Sequence, residues 1–266
     1  MSRHLLSLDP GTLGFHLPFH NFAGHAAAAG FDGIESPCKD ARAFGSPSAL
    51  RAFLDGHGLD SKIHSCPWAL PANGAVPESV FLARLEAIPE IARFARDSGA
   101  DALSVFLRCS AEGMARLSLE QVVARIGALA SAAGETAITV ELNDPTYLRQ
   151  AATIVQSVPN CRLLVDVFHV IRSGLDATWI ASLPRNAIGW VHLSDAGAEI
   201  YERRPDDVPR EMPGDGVLPL RELIAAIEET GYLGPFSVEV LNDRLLCGDP
   251  ADIAREAFDK ARRAVP

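Results

Sequence analysis

Apolar runs of strand length alternate with helix-period stretches along almost the whole chain. The runs are LLSL at 5–8, GIES at 33–36, KIHSC at 62–66, ALSVFL at 102–107, AITVEL at 137–142, RLLVDVF at 162–168, IGWVHLS at 188–194 and FSVEVL at 236–241. Most are continuously apolar rather than alternating, as strands buried on both faces of a sheet tend to be. Between them lie amphipathic stretches such as SALRAFLDGHG, FLARLEAIPEIARFARDSG, SLEQVVARIGALASAAG and PLRELIAAIEETG. Gly30, Gly58, Gly99, Gly134 and Gly231 follow predicted last helical turns, where a left-handed residue stops a helix. Pro89 is expected to kink its helix, because it removes one backbone donor and crowds the preceding turn.

Strand runs that are each followed by a helix predict an α/β protein, a single (β/α)₈ TIM barrel over residues 1–266. A doubly wound sheet is the structural alternative, but no Gly-rich phosphate turn follows the first run. One long irregular stretch, DAGAEIYERRPDDVPREMPGDGVL at 195–218, follows the seventh run. A loop of this length in a compact domain is usually functional, and in a barrel the loops after strands build the active site.

The chain has 266 residues, with 24 Lys and Arg against 34 Asp and Glu, a net charge of −10. An acidic surface is a poor general binder of nucleic acid or anionic membrane, so neither is expected as a partner. The opening MSRHLLSLDPG has too short an apolar part for a secretory signal, and no uncharged apolar run is long enough to span a membrane. The 5 cysteines, Cys38, Cys66, Cys109, Cys161 and Cys247, are odd in number and include no CxxC. This argues against a disulfide framework and for a reducing, cytoplasmic setting, with Cys66 and Cys109 as ordinary core or lining residues.

Four metal-type side chains stand at or just past the ends of the last four runs: Glu141, Asp166, His192 and Glu239. Their successive gaps are 25, 26 and 47 residues, the first two about one strand-plus-helix unit. On neighbouring parallel strands they would emerge at one end of the sheet. Each alone reads equally well as a helix cap or a core histidine; together they predict a site for one divalent cation. Oxygen-rich ligation with one imidazole suits Mn²⁺, Mg²⁺ or Co²⁺, and admits Zn²⁺.

Other polar residues gather at the same expected mouth. His169 follows Asp166 by one helical turn and is read as a substrate contact or as an orienter of a ligand. Arg210 in REMPGDG can clamp a substrate oxygen from the long loop, with Arg203 and Arg204 as competitors. Asp195 either anchors that loop or supports a ligand. Glu35, His64 and Arg108 end the second, third and fourth runs and are candidate substrate contacts. Asn143 and Asn242 are candidate outer-shell donors.

VELND, DVFH, VHLSD, R-x-x-PGDG and FSVEVLND, in this order, resemble the xylose isomerase-like superfamily of sugar isomerases and epimerases, which also holds endonuclease IV-type enzymes. The resemblance implies a (β/α)₈ barrel with one divalent cation on Glu141, Asp166, His192 and Glu239. It implies that Glu141 and Glu239 also exchange the substrate proton, and that His169 and Arg210 bind substrate oxygens. The histidine-rich three-metal cluster of endonuclease IV relatives is not evident, which argues against DNA repair. The expected activity is isomerisation or epimerisation of a small keto-sugar or keto-cyclitol, by removal of the proton α to the carbonyl through an enediolate whose charge the cation offsets. A dehydratase acting on 3-dehydroshikimate or inosose is the runner-up. The ending VEVLNDRL resembles the dehydroshikimate dehydratases, whereas His192 stands where that group often has Gln. A non-catalytic barrel that binds a sugar or a partner chain is the reading from another class. The expected partners are a keto-polyol substrate and, as barrels of this type often pair, a second copy of the chain.

Overall fold

The computed structural model describes residues 4–67, 78–107, 117–202 and 208–265. Its strands are β1 (Leu6–Leu8), β2 (Gly33–Ile34), β3 (Ser36–Pro37), β4 (Ile63–Ser65), β5 (Ala102–Leu107), β6 (Ala137–Leu142), β7 (Cys161–Asp166), β8 (Ile188–Leu193), β9 (Asp195–Ala196), β10 (Arg210–Glu211) and β11 (Phe236–Val238). Every apolar run of the sequence therefore contains strand. The GIES run is not one strand but two, parted at Glu35. Arg108 and Cys109 lie outside the described residues. Among the described residues no helix is long and apolar enough to cross a membrane.

The chain forms two compact units. The first comprises Met1–Glu35, Ala52–Ser61 and Val165–Pro266. Its sheet is parallel in the order β2-β1-β11-β8, with Leu8 opposite Ile34, Leu6 opposite Phe236 and Val238 opposite Leu193. Leu6, Leu8, Ile34, Val191, Leu193, Phe236 and Val238 are buried, which is why these runs carry no polar alternation. The helix Phe19–Ala29 stops at Gly30, whose φ of 100° only glycine adopts without strain. The helix Pro250–Ala264 is capped by Asp249, whose Oδ1 accepts from Ala251 N at 2.8 Å, and carries Arg262 and Arg263 in its last turn. Phe258 of that helix meets Phe31 edge-on at 5.3 Å.

The second unit comprises Ser36–Arg51 and Lys62–Leu164, with a parallel sheet in the order β3-β4-β5-β6-β7. The helix Leu119–Ala133 starts from a complete capping box, in which Ser118 and Gln121 satisfy each other's backbone donors. The expected kink at Pro89 is a full break: Glu78–Leu85 and Ile88–Ser98 are separate helices, with Pro89 in the first turn of the second. There its missing N–H has no intrahelical partner to lose.

The reading of the cysteines is corrected here. Cys38 and Cys66, 28 residues apart and both buried, form a disulfide. Cys38 follows β3 directly and Cys66 follows β4, where its N–H donates to Ser104 O at 2.8 Å. Neighbouring strand ends thus bring together two residues that nothing in their spacing relates. Cys161 is a buried free thiol whose pKa burial raises to about 12, and Cys247 is a free, exposed thiol.

Candidate metal and substrate site

The parallel order of the first unit brings its strand ends to one edge. Asp9 N donates to Val238 O and Glu239 N to Leu193 O, so the ladder runs one residue past β1 and β11. Asp9 and Glu239 therefore stand side by side next to His192, which is the last residue but one of β8. Asp9, His192 and Glu239 are all buried, and each offers a ligand-type atom within 4.8 Å of the others.

Asp166 ends β7 and caps the short helix Val167–Arg172, with Oδ1 accepting from Phe168 N at 2.9 Å. Capping uses one oxygen and leaves Oδ2 for chemistry. Oδ2 forms an ion pair with Arg210 Nη2 at 2.7 Å and lies 3.4 Å from His169 Nε2. The other arm of Arg210, Nη1, donates to Glu239 Oε2 and, at 3.2 Å, to Glu239 O. One buried guanidinium thus bridges two buried carboxylates. Its face also stacks on the Phe168 ring, 4.9 Å from the centroid.

A hairpin delivers Arg210. The strands β9 and β10 pair antiparallel, with Arg210 opposite Ala196. Asp195 ties the loop together. Its Oδ1 accepts from Ala196 N and Leu218 N, both at 2.9 Å, and its Oδ2 accepts from Gly214 N at 3.0 Å. Of the two roles open to Asp195, the structure gives it that of loop anchor. A Cβ at Gly216 would collide with Ala196 O and Asp195 Oδ1, so the loop closes only on glycine there. Asn242 Nδ2 donates to Arg210 O at 2.8 Å and fixes the hairpin from the β11 side. Arg203 and Arg204 lie outside the described residues.

Charge in this cluster is closely balanced. Burial alone would raise the Glu239 carboxyl, but Arg210 and then His192 hold it well below the usual carboxylate range. Burial opposes a charge on His192, yet the Glu239 and Glu35 carboxylates keep its pKa well above the ordinary imidazole value. Burial, with help from Glu35 and Glu239, raises Asp9 well above the ordinary range, against the pull of His192 and the Gly11 N–H. Asp9 is the member that the sequence reading missed. Its signal was present, an acid directly after an apolar run, but Asp-Pro-Gly reads first as a turn.

The remaining candidates divide. Glu35 is buried behind His192, with Oε1 at 2.9 Å from His192 Nε2. In the second unit Glu141 is the last residue but one of β6 and is buried. His64 of β4 is also buried, and its Nε2 lies 3.5 Å from Ser98 Oγ on the helix Ile88–Ser98. Burial lowers its pKa to about 4.

The donor atoms of the first unit fit a divalent cation. His192 Nδ1 is buried and lies 3.2 Å from Glu239 Oε2 without an aligned hydrogen bond. One imidazole nitrogen among carboxylate oxygens is a donor set for Mn²⁺, Mg²⁺, Co²⁺ or Zn²⁺.

A family model described as xylose isomerase-like TIM barrel matches residues 24–264. Among curated proteins, a 3-dehydroshikimate dehydratase of Pseudomonas aeruginosa is 34% identical over 87 residues, which is 32% of this chain and 13% of that protein's length. The match thus spans a small part of the relative. Among solved structures, an IOLI protein with a bound zinc atom has a TM-score of 0.83 at 16% identity, covering 98% of each chain. A D-allulose 3-epimerase from Methylomonas sp., in complex with D-allulose, has a TM-score of 0.72 at 18% identity, again over 98% of each. These likenesses show the fold, a TIM barrel, as the alternation of apolar runs predicts.

Proposed function

The chain belongs to the xylose isomerase-like TIM barrel family, and we propose that it is a divalent-metal-dependent isomerase or epimerase of a small keto-sugar or keto-cyclitol. The observation that carries this reading is the buried cluster of Asp9, Asp166, His169, His192, Arg210 and Glu239. It joins ligand-type atoms, a carboxylate held ionised and a guanidinium brought in by its own hairpin. The proposed cation ligands are Glu141, Asp166, His192 and Glu239, and the proposal treats residues 1–266 as one barrel domain. The proposed ion is Mn²⁺, Mg²⁺ or Co²⁺, with Zn²⁺ admitted. When bound, the cation supplies Lewis-acid polarisation of the substrate carbonyl and of the hydroxyl beside it.

The protein's own groups do the rest. Glu239 takes the proton α to the carbonyl at Oε2, the oxygen to which Arg210 donates. The guanidinium and His169, 3.4 Å apart, are placed to hold substrate oxygens. Returning the proton to the opposite face, the role proposed for Glu141, gives an epimer. Returning it to the neighbouring carbon gives an isomer. The setting is proposed to be cytoplasmic, the substrate a small polyol rather than nucleic acid or membrane, and the assembly a homo-oligomer.

A second reading, loss of a β-hydroxyl as water, is favoured by the local identity to 3-dehydroshikimate dehydratase. Incubation in D₂O with ketoses, keto-cyclitols and 3-dehydroshikimate separates the two. Deuterium at the α-carbon of a ketose or keto-cyclitol without loss of water supports the isomerase, and release of water from 3-dehydroshikimate supports the dehydratase. No exchange in any arm, with sugar binding retained, would leave a binding barrel. Glu239→Gln is expected to abolish turnover and weaken cation binding. Full activity in that variant, or after stripping with EDTA, overturns the mechanism.

A further inference from the structure

Glu35 stands at the junction of β2 and β3 and is fully buried. One of its oxygens, Oε1, meets three groups: Trp190 Nε1 at 2.8 Å, His192 Nε2 at 2.9 Å and Ser237 Oγ at 2.6 Å. The sheet explains the convergence. Trp190 and His192 are two apart on β8 and share a face. Ser237 of β11 is the register partner of His192. Three side chains from two neighbouring strands thus aim at one carboxylate oxygen.

The chemistry of the three groups settles the direction of the hydrogen bonds. An indole N–H only donates, the Ser237 hydroxyl donates, and a carboxylate only accepts. His192 Nε2 must therefore carry a hydrogen as well. An imidazole whose Nε2 keeps its hydrogen has one nitrogen left with which to bind, and that is Nδ1. This nitrogen points to the other side of the ring, 3.2 Å from Glu239 Oε2, in the cluster that also holds Asp9. The imidazole stands between Glu35 and Glu239, so Glu35 does not face the substrate.

We infer that Glu35 is a positioning residue: it fixes the tautomer and ring plane of His192 so that Nδ1 is presented as a metal ligand, and its charge makes that nitrogen a stronger donor. The inference rests on the reading of His192 as a ligand. It assigns Glu35 a role different from the substrate contact that its place at a strand end implies. Trp190 and Ser237 hold the carboxylate in turn, so the ring is fixed through two layers of hydrogen bonds.

The test uses the full chain, ¹⁵N-labelled at histidine, with zinc as the probe. Calorimetric titration is expected to show one tight Zn²⁺ site in the unaltered protein and binding about 10- to 100-fold weaker in Glu35→Ala. Long-range ¹H–¹⁵N spectra of the zinc form should show His192 with a protonated Nε2 and a shifted, coordinated Nδ1. In Glu35→Ala the Nε2–H signal should exchange away or the two nitrogens should change roles. Glu35→Gln keeps the shape and an accepting oxygen but not the charge; it should weaken zinc binding with the Nε2–H retained, and tests the charge if the alanine variant does not fold. Trp190→Phe removes one of the two groups that hold the carboxylate and leaves Ser237 in place, so it should weaken zinc binding by less than Glu35→Ala. Equal affinity and an unchanged His192 spectrum in both Glu35 variants overturn the inference while the metal reading stands. Weaker zinc binding in Glu35→Ala with an unchanged His192 spectrum also overturns it, because the effect would then be one of packing. Absence of a stoichiometric zinc site in the unaltered protein overturns the metal reading itself.

Discussion

Arg210 balances two buried carboxylates at once, and this sets what its removal does. In Arg210→Met, Asp166 and Glu239 lose their shared cation while staying buried. The metal-free variant is expected to be less stable by about 3 kcal/mol, as for a buried pair stripped of one partner. Thermal denaturation should show the loss, and added Mn²⁺ should raise the melting temperature of the variant more than that of the unaltered protein. An equal response to Mn²⁺ would mean that Arg210 does not share the site of the ion. His64 gives a pH prediction. Its folded pKa is near 4, below the ordinary value of 6.5. Between these values the unfolded chain takes up a proton that the folded chain refuses, so stability rises with pH across that window. The whole effect is on the order of 3 kcal/mol. Urea denaturation at pH 7 and pH 4.5 should show a smaller loss in His64→Leu than in the unaltered chain. At this scale the sequence pointed to Asp166, His192 and Glu239, but not to Asp9, where an acid after an apolar run reads first as part of an Asp-Pro-Gly turn. It was silent on which way Glu35 faces, since one residue of register reverses a strand's side chains.

Elements were legible where they were long. The strands β5, β6 and β8 and the helix Leu119–Ala133 match their patterns to within a residue, because each buries enough apolar surface to mark itself, whereas β7 stops at Asp166 and the last two residues of its run are helical. The strands β9 and β10 have two residues each, too few for any period, and are held by Asp195 rather than by an apolar face. The Cys38–Cys66 bridge was hidden for a related reason: a pair joined through neighbouring strand ends has no characteristic spacing. Closing a loop of 28 residues limits the unfolded chain and stabilises the fold by about 3.6 kcal/mol in the chain-entropy account. Reduction with dithiothreitol, or Cys38→Ser with Cys66→Ser, is expected to lower the melting temperature accordingly. Alkylation followed by mass mapping should label Cys247 readily, Cys161 only on unfolding, and Cys38 and Cys66 only after reduction. Labelling of Cys38 and Cys66 in unreduced protein isolated from cells would remove the bridge. A bridge found intact there would argue against the proposed cytoplasmic setting.

For the molecule as a whole, the fold class was readable because it depends on the order of elements and not on their ends. The family likeness over residues 24–264 agrees with it. The geometry of the candidate site was readable only as a convergence, since the tie between Asp9 and Glu239 depends on pairing across most of the chain. A bound cation should stabilise the native state by about 2.7 kcal/mol when its concentration is 100 times its dissociation constant. EDTA should therefore lower the melting temperature, and an unchanged value would count against a resident ion. The pairing of β1 with β11, which sets Leu6 against Phe236, has a temporal consequence. During translation at some 5–20 residues per second, the first strand waits roughly ten to fifty seconds for its neighbour. The nascent polypeptide meanwhile exposes a raw sheet edge beside a half-assembled acidic cluster, so the emerging protein is most open to chaperones, and to misplaced ions, before the ribosome reaches its final helix.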